Sequence, residues 1–437
     1  MNSNKGSDAG MTLEDVKAYL EGVNGKEIKL GLEPMTALME ALNWPDENLK
    51  IIHITGTNGK GSVSCMIQQI LIEAGYKIGM FNSPYFEKPN ECIRVNEKMI
   101  PDEVLIHYMT KLEPIIRTLD QKGLRPSGFE LLTAIALLYF KDEKADFVVL
   151  EVGLGGRLDA TNVIKQSALS IITKIAKDHM QFLGETLVSI AKEKAGIIKT
   201  NGCVILAKQE EVMEVIEEKC ALMKATLKVV DKEKATLINL SESSLSFQYE
   251  NQSYHLNIGG TYQMENAVMA IEAIGMLNER YKLGVHIDSV HQGLTKAKWQ
   301  GRFEVVNKNP MCIIDGAHNV DGIIALKNTI CGLPKRKRIA IVGMLRDKEV
   351  DEMLQIIEPY MDVFIVTTPL NPRAMKADDL AQKIKAYHKP VYIEEEIEAA
   401  YKKARSLLKE DHDDQIIGFG SLYMIGQLRK VIKEHTA

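Results

Sequence analysis

No stretch of this 437-residue chain approaches the roughly 20 consecutive apolar residues that a membrane-spanning helix needs, so no helical membrane anchor is expected. The chain also has no Cys-x-x-Cys pair. Its six cysteines (65, 92, 203, 220, 312 and 331) stand singly in apolar or helical segments, which argues against a disulfide framework or zinc ribbon. They read as reduced thiols in a cytoplasmic protein. A strong excess of one charge is missing too: the formal net charge of -5 gives no reason to expect nucleic acid or an anionic membrane as partner. The basic run Lys335–Arg338 directly precedes an apolar strand and reads as a solvated turn. Residues 1–10 lack the apolar core of a signal peptide and read as a disordered leader, with Met11 as an alternative start.

What the chain does have is length and alternation. It is too long for one typical core, which suggests two or three domains. Strand-like runs at 50–55, 78–81, 146–152, 169–173 and 204–207 alternate with helical spacing at 60–74, 101–119, 128–141 and 186–198. Pro101 falls at a first-turn position. Runs such as DFVVLEV are apolar on both faces, as expected of central parallel strands. From about 225 to 258 the texture becomes β-rich with polar turns (TLKVV, TLINL, SLSFQYE, SYHLN), predicting a small antiparallel patch. Residues 262–280 are helical again, and residues 296–301 interrupt the pattern. Beyond them FEVV, MCIID, RIAIVGM, VFIVT and IIGFG have room for a second sheet. The expectation is an α/β chain: a P-loop ATPase domain over 11–297, mostly parallel with the antiparallel patch, then a Rossmann-like α/β domain over 302–437.

The sharpest local signal is Gly56-Thr57-Asn58-Gly59-Lys60-Gly61-Ser62, between a strand and a helix. That placement aims backbone N–H groups and the positive helix end at phosphate oxygens, and Lys60 adds a cation for the β- and γ-phosphates. The spacing departs from GxxxxGK[ST]: two residues separate Gly56 from Gly59, and Gly61 intervenes between Lys60 and Ser62. This argues against ordinary kinases and GTPases. Glu151, near the carboxyl end of a buried strand, needs a partner there, and a magnesium ion would supply one.

The loop resembles the signature of the Mur ligase and folylpolyglutamate synthase superfamily, and the likeness runs over roughly residues 30–425. Residues 151–162 (EVGLGGRLDATN) are similar to the folate-ligase motif specifically, as are residues 190–197 (IAKEKAGI). Gln263 with Asn266-Ala267, then Gly301-Arg302-Phe303-Glu304, Asp315-Gly316-Ala317-His318-Asn319 and Gly420-Ser421-Leu422-Tyr423 follow in family order.

The resemblance implies roles for particular residues. His179, which the residues alone would leave as a structural histidine, becomes a metal ligand beside Glu151. Ser83 can add a hydroxyl oxygen, or cap a turn before Pro84. Lys194, otherwise one of a solvated charged face, becomes a carbamylated lysine, a modification favoured where burial and nearby cations lower its pKa. Asn266 is expected to face adenine and Arg302 the ATP phosphates. Asp315 can accept from ribose hydroxyls or cap the following helix, and His318 and Ser421 handle nucleotide and glutamate. Substrate contacts are expected near Ser83 to Arg94 and around Asp159-Ala160, although Tyr85-Phe86 replaces the His-Leu of many members and leaves pterin specificity open.

The implied reaction is amide formation through an acyl phosphate. Its substrates would be ATP, a folate or folylpolyglutamate, and L-glutamate; Mg2+ is the implied metal and K+ an open option. Tail extension is favoured, with dihydropteroate as a second acceptor, and the protein is expected to be a monomer. A cell-wall Mur ligase acting on UDP-sugar peptides and a non-catalytic nucleotide-binding regulator are the competing readings. Two sites on two domains imply closure about residues 296–301.

Overall fold

In the computed structural model, residues 11–23, 31–409 and 413–436 are described; the leader expected over residues 1–10 lies outside them. The most apolar runs form the centre of the first sheet. β1 (Ile51–Thr55), β2 (Ile78–Phe81), β3 (Ile93–Val95), β4 (Lys98–Met99), β5 (Phe147–Glu151), β6 (Leu169–Ile172), β7 (Cys203–Ala207) and β8 (Thr226–Val230) lie in the order β4-β3-β2-β5-β1-β6-β7-β8. The run from β2 to β8 is parallel throughout, and β3 and β4 fold back antiparallel at one edge. β1 and β5 are buried at every residue, because helices cover both faces. On one face the helix Lys60–Glu73 packs beneath Tyr262–Tyr281 and Ile287–Lys296. The last crossing is close: a Cβ on Gly293 would lie 2.5 Å from Ile70 Cα.

β9 (Ala235–Leu240), β10 (Leu245–Tyr249) and β11 (Gln252–Leu256) form a separate antiparallel sheet whose apolar side joins the same core. A third sheet, in the order β12-β13-β17-β14-β15-β16, comprises β12 (Glu304–Lys308), β13 (Met311–Ile314), β14 (Arg338–Val342), β15 (Val363–Val366), β16 (Val391–Ile393) and β17 (Gln415–Phe419). Only β12 runs antiparallel. Helices Val320–Cys331, Val350–Ile357 and Ala377–Lys385 pack on one face, and Ile397–Ser406 and Leu422–Glu434 on the other. This is the Rossmann-like layering expected. Among the described residues no helix is long and apolar enough to cross a membrane.

Several expectations need correction. TLKVV is not part of the antiparallel patch. It follows the helix Glu210–Met223 as a crossover strand and pairs parallel with β7. The helix expected over 186–198 ends at Ala195, where Gly196 lies so close to Arg157 that a Cβ would meet its Cα at 2.4 Å. Pro101 is the N-cap rather than a first-turn residue, its helix beginning at Asp102. Helices Leu13–Val23, Glu33–Ala41, Glu210–Met223 and Ile287–Lys296, and the short β16, were not anticipated from spacing.

Phe247 on β10 is fully buried and stacks on Tyr254 at 5.3 Å, joining the small sheet to the main core. Phe247→Ala should therefore lower unfolding free energy by about 3–5 kcal/mol in denaturant titration. A loss below about 1 kcal/mol would mean the small sheet is not part of that core.

Candidate functional site

Both parallel sheets present the carboxyl ends of their strands to one cleft of about 1180 Å3. That exceeds the ~300–1,000 Å3 usual for a single small ligand, so two ligands fit side by side. The phosphate loop leaves β1, Glu151 ends β5, Lys174 follows β6, Asp315 follows β13, Leu345 follows β14 and Ser421 follows β17; all border the cleft.

The loop turns through Gly59, whose φ of +93° is left-handed, and Lys60 opens the helix. Its unusual spacing has a packing reason. A Cβ on Gly61 would lie 2.6 Å from the Trp299 indole, and the next helical turn is tied back by Cys65 Sγ donating to Lys298 O at 3.2 Å. The segment linking the sheets is thus seated on the phosphate loop. Asn266 approaches the other side, where its Oδ1 would sit 2.5 Å from a Cβ on Gly59. Thr57, Asn58, Ser62 and Asn266 border the cleft, and the Thr57 hydroxyl is engaged by the segment after β6, donating to Ala176 O at 2.9 Å and accepting from Ala176 N at 3.0 Å.

Two lysines converge on one carbonyl. Lys60 Nζ donates to Gly56 O at 3.1 Å and Thr57 O at 3.3 Å, and Lys194 Nζ donates to the same Gly56 O at 2.8 Å. Lys194 is only 3% exposed, and burial, reinforced by Lys60, holds its pKa well below the usual lysine range. It is therefore not on the solvated helix face that its charged neighbours suggested.

Glu151 and His179 face the same cavity. Burial pushes the Glu151 carboxyl up to about 7 against the pull of Lys60 and Arg302, and its Oε2 has no hydrogen-bond partner. Burial pushes the His179 imidazole down to about 4, so it is neutral at physiological pH, and its Nδ1 is also unpartnered. A buried carboxylate oxygen and a buried neutral imidazole nitrogen, both unsatisfied, suit a divalent cation. Ser83 borders the same cleft. Among the described residues no group of three or more His, Cys, Asp and Glu side chains could hold a metal.

The other expected residues divide into two groups. Arg302, His318, Ala160 and Ser421 border the cleft, the Ser421 hydroxyl being buried without a partner. Asp159 and Asp315 border it too, but their oxygens are engaged. Asp159 accepts from Leu154 N at 2.8 Å, Thr161 N at 3.0 Å and Thr161 Oγ1 at 2.5 Å. Asp315 accepts from Tyr262 Oη at 2.6 Å, Phe303 N at 2.9 Å and Ala317 N at 2.8 Å, which uses most of a carboxylate's acceptor capacity. It braces the two bodies and does not cap the next helix; Asn319 does, accepting from Gly322 N at 2.8 Å. Arg94 is not among the residues lining the cleft, and its Nε donates to Glu91 O at 3.1 Å.

Sequence reasoning gave no role to Asp178, Lys348, Lys174 or Asp321. Asp178, 8% exposed, accepts from Lys348 Nζ and from Asn319 Nδ2 at 3.1 Å, and lies 3.3 Å from His318 Nε2. Burial alone would raise this carboxyl, but His318, His179 and Lys348 outweigh it and hold it well below the usual range. Asp321 accepts from Asn58 Nδ2 at 2.8 Å and pairs with Lys174. These partners stand 170, 263 and 147 positions apart in the chain, so no local pattern signals them.

Two outcomes follow. Gly61→Ala should displace Trp299 and weaken ATP-analogue binding about 10-fold or more in calorimetric titration, given a typical overpacking cost of about 1–3 kcal/mol; unchanged affinity would show that the indole yields freely. Asp178→Ala should cost roughly 3 kcal/mol in denaturant unfolding by stranding buried donors.

Comparison with known proteins agrees with this geometry. The Mur ligase middle domain matches residues 54–274, and the Mur ligase glutamate ligase domain matches residues 301–422. A dihydrofolate synthase/folylpolyglutamate synthase of Bacillus subtilis is 35% identical, the match covering 96% of this chain and 99% of the relative. The folylpolyglutamate synthase of Mycobacterium tuberculosis complexed with ADP superposes with a TM-score of 0.87 at 30% identity, covering 96% of this chain and 98% of that one. A bifunctional folylpolyglutamate synthase/dihydrofolate synthase with Mn, AMPPNP and L-glutamate bound gives 0.82 at 28% identity, covering 96% and 98%. With its phosphate loop, paired lysines and unpartnered Glu151 and His179 gathered in one cleft, this chain belongs to the Mur ligases, in their dihydrofolate synthase/folylpolyglutamate synthase family.

Proposed function

We propose that this protein is an ATP-dependent ligase that joins the amino group of L-glutamate to the γ-carboxylate of tetrahydrofolate or a folylpolyglutamate, with dihydropteroate as a second acceptor. The observation that carries the reading is the convergence of Lys60, Lys194, Glu151 and His179 on one cleft that also meets the second body. Bodies 11–297 and 302–437 act as two domains hinged at 296–301. Six free thiols, four of them buried, suit a reducing cytoplasm, and we take the working unit to be a monomer.

The reaction has two halves. The substrate carboxylate attacks the γ-phosphorus of ATP, the bond to the bridging oxygen breaks, and ADP leaves. The glutamate amine then attacks the acyl phosphate carbonyl, loses a proton and expels inorganic phosphate. Loop N–H groups and Lys60 orient and neutralise the polyphosphate, and Arg302 adds a fixed guanidinium from the other side. Asn266, against the loop, is in place to meet the base, and His318 and Ser421 to meet glutamate. Ser83 and Ala160 border the folate side, while Asp159 shapes it through the Leu154 and Thr161 backbone. Glu151, His179 and Ser83 would hold Mg2+, which supplies positive charge to the phosphates when bound.

Lys194 is the residue to modify. In its neutral form, which burial favours, its amine adds to carbon dioxide, forming an N–C bond and releasing a proton, and the product is an anion beside Lys60.

The test is phosphate release from ATP with Mg2+ and L-glutamate, offering tetrahydrofolate or dihydropteroate separately. Glutamate-dependent release is expected, lost with EDTA, and compared in K+ and Na+ buffers. No release with either acceptor would overturn the ligase reading and favour a nucleotide-binding regulator. Lys194→Ala should reduce turnover about 100-fold or more, and bicarbonate should raise the wild-type rate. Wild-type turnover by Lys194→Ala, indifferent to bicarbonate, would sink the carbamate.

A further inference from the structure

We propose that Phe86 is a positioning residue: its ring, seated between the inter-domain linker and the last helix, holds Ser83, Arg302 and Ser421 in register across the cleft. The inference rests on the reading above, in which those three residues border the reacting groups.

The loop that carries Phe86 is stiff. The Glu91 carboxylate accepts from Phe86 N at 2.9 Å, Glu87 N at 2.8 Å and Lys88 N at 2.8 Å, drawing the loop around one side chain. Asn90, fully buried, anchors its base by donating to Ile100 O at 2.8 Å. The Phe86 side chain then leaves its own body and packs, partly buried, against the core under the third sheet.

Two glycines make room for it. A Cβ on Gly426 would lie 2.8 Å from Phe86 Cδ1 and 3.2 Å from Cγ. A Cβ on Gly301, whose φ is +68°, would lie 3.2 Å from Phe86 Cζ and 2.8 Å from Ile425 Cδ1. Linker and helix are also clipped to each other: Glu304 accepts from Gly301 N at 2.8 Å and from Arg429 Nε at 2.9 Å. The ring therefore meets a preformed seat rather than a loose surface.

Each wall of that seat is tethered to the cleft. Ser83 lies three residues before Phe86, Arg302 follows Gly301 directly, and Ser421 lies five residues before Gly426. Such short tethers transmit a displaced ring to all three cleft residues at once. The unusual Tyr85-Phe86 pair thereby gains a reason: a large flat side chain at 86 matches a seat floored by glycine.

The test is size exchange in the full chain. Phe86→Ala and Gly426→Ala should each lower kcat for glutamate-dependent phosphate release about 10- to 100-fold. KM for ATP should change far less than kcat, because the phosphate loop itself is untouched and only the Arg302 and Ser83 contacts shift. The double variant Phe86→Leu/Gly426→Ala, with a smaller side chain over the larger floor, should recover most of the kcat lost by Gly426→Ala. Thermal unfolding checks that each variant folds, and Phe86→Leu alone is measured as the other single variant and replaces Phe86→Ala if the latter does not fold. Wild-type kcat in Phe86→Ala, or a double variant as slow as the product of the single effects, overturns the proposal. Hydrogen exchange separates this from failure of the ligase reading. Phe86→Ala should speed exchange together in the loop at 85–91, the linker at 299–303 and the first turn of Leu422–Glu434, whether or not turnover is seen. Loosening confined to the loop would refute the coupling.

Discussion

Asp178 belongs to the phosphate-loop body, yet most of its partners come from the other one. Lys348, Asn319 and His318 all turn towards it. A carboxylate this buried would be costly alone, by several kcal/mol, and its position is held because donors from the opposite sheet satisfy it. The arrangement fixes more than a contact. His179 is the next residue, so clamping Asp178 also sets where the neighbouring imidazole stands in the cleft. Asp321, held by Asn58 and Lys174, pins the same junction two residues beyond Asn319. These charge pairs join the two bodies alongside a few apolar crossings, such as Leu240, which packs against the cores on both sides, and Phe86 against the core under the third sheet.

Inside those walls the charge arrangement follows from burial. Two ammonium groups aimed at one Gly56 carbonyl would repel each other. The contact is eased because burial works against the charge on Lys194. Glu151 sits on the other side of the same balance, its carboxyl raised by burial despite Lys60 and Arg302 nearby. Lys194 and Glu151 are buried where screening is weak, which makes both sensitive to any added charge.

Much of this was legible from the chain alone. The central strands could be read because apolar runs such as FVVLE are buried on both faces, and the phosphate loop because its glycines bracket a lysine at a strand-to-helix turn. Glu151 was legible as a polar end to an apolar strand. TLKVV was misassigned because five alternating residues carry no information about their partner, and the preceding helix decided it. Asp159 and Asp315 were placed in the right cleft, but their oxygens were already taken by backbone N–H groups that no motif reveals. The least legible residues were the long-range ones. Lys348 lies in a plain polar turn, and its meaning depends on an aspartate 170 positions earlier.

The order of the main sheet has a consequence for how the protein is made. β1 is the first strand in the chain but lies between β5 and β6, roughly a hundred residues downstream. As the chain leaves the ribosome the phosphate loop emerges early, with no neighbouring strand to hold it open. Its flanks arrive with residues 147–172, its support from Asn266 later, and the Trp299 indole that rests on Gly61 later still. Pairings this distant in sequence form slowly. A nascent chain therefore carries the nucleotide signature long before the residues that brace the loop, Asn266 and Trp299, have been made.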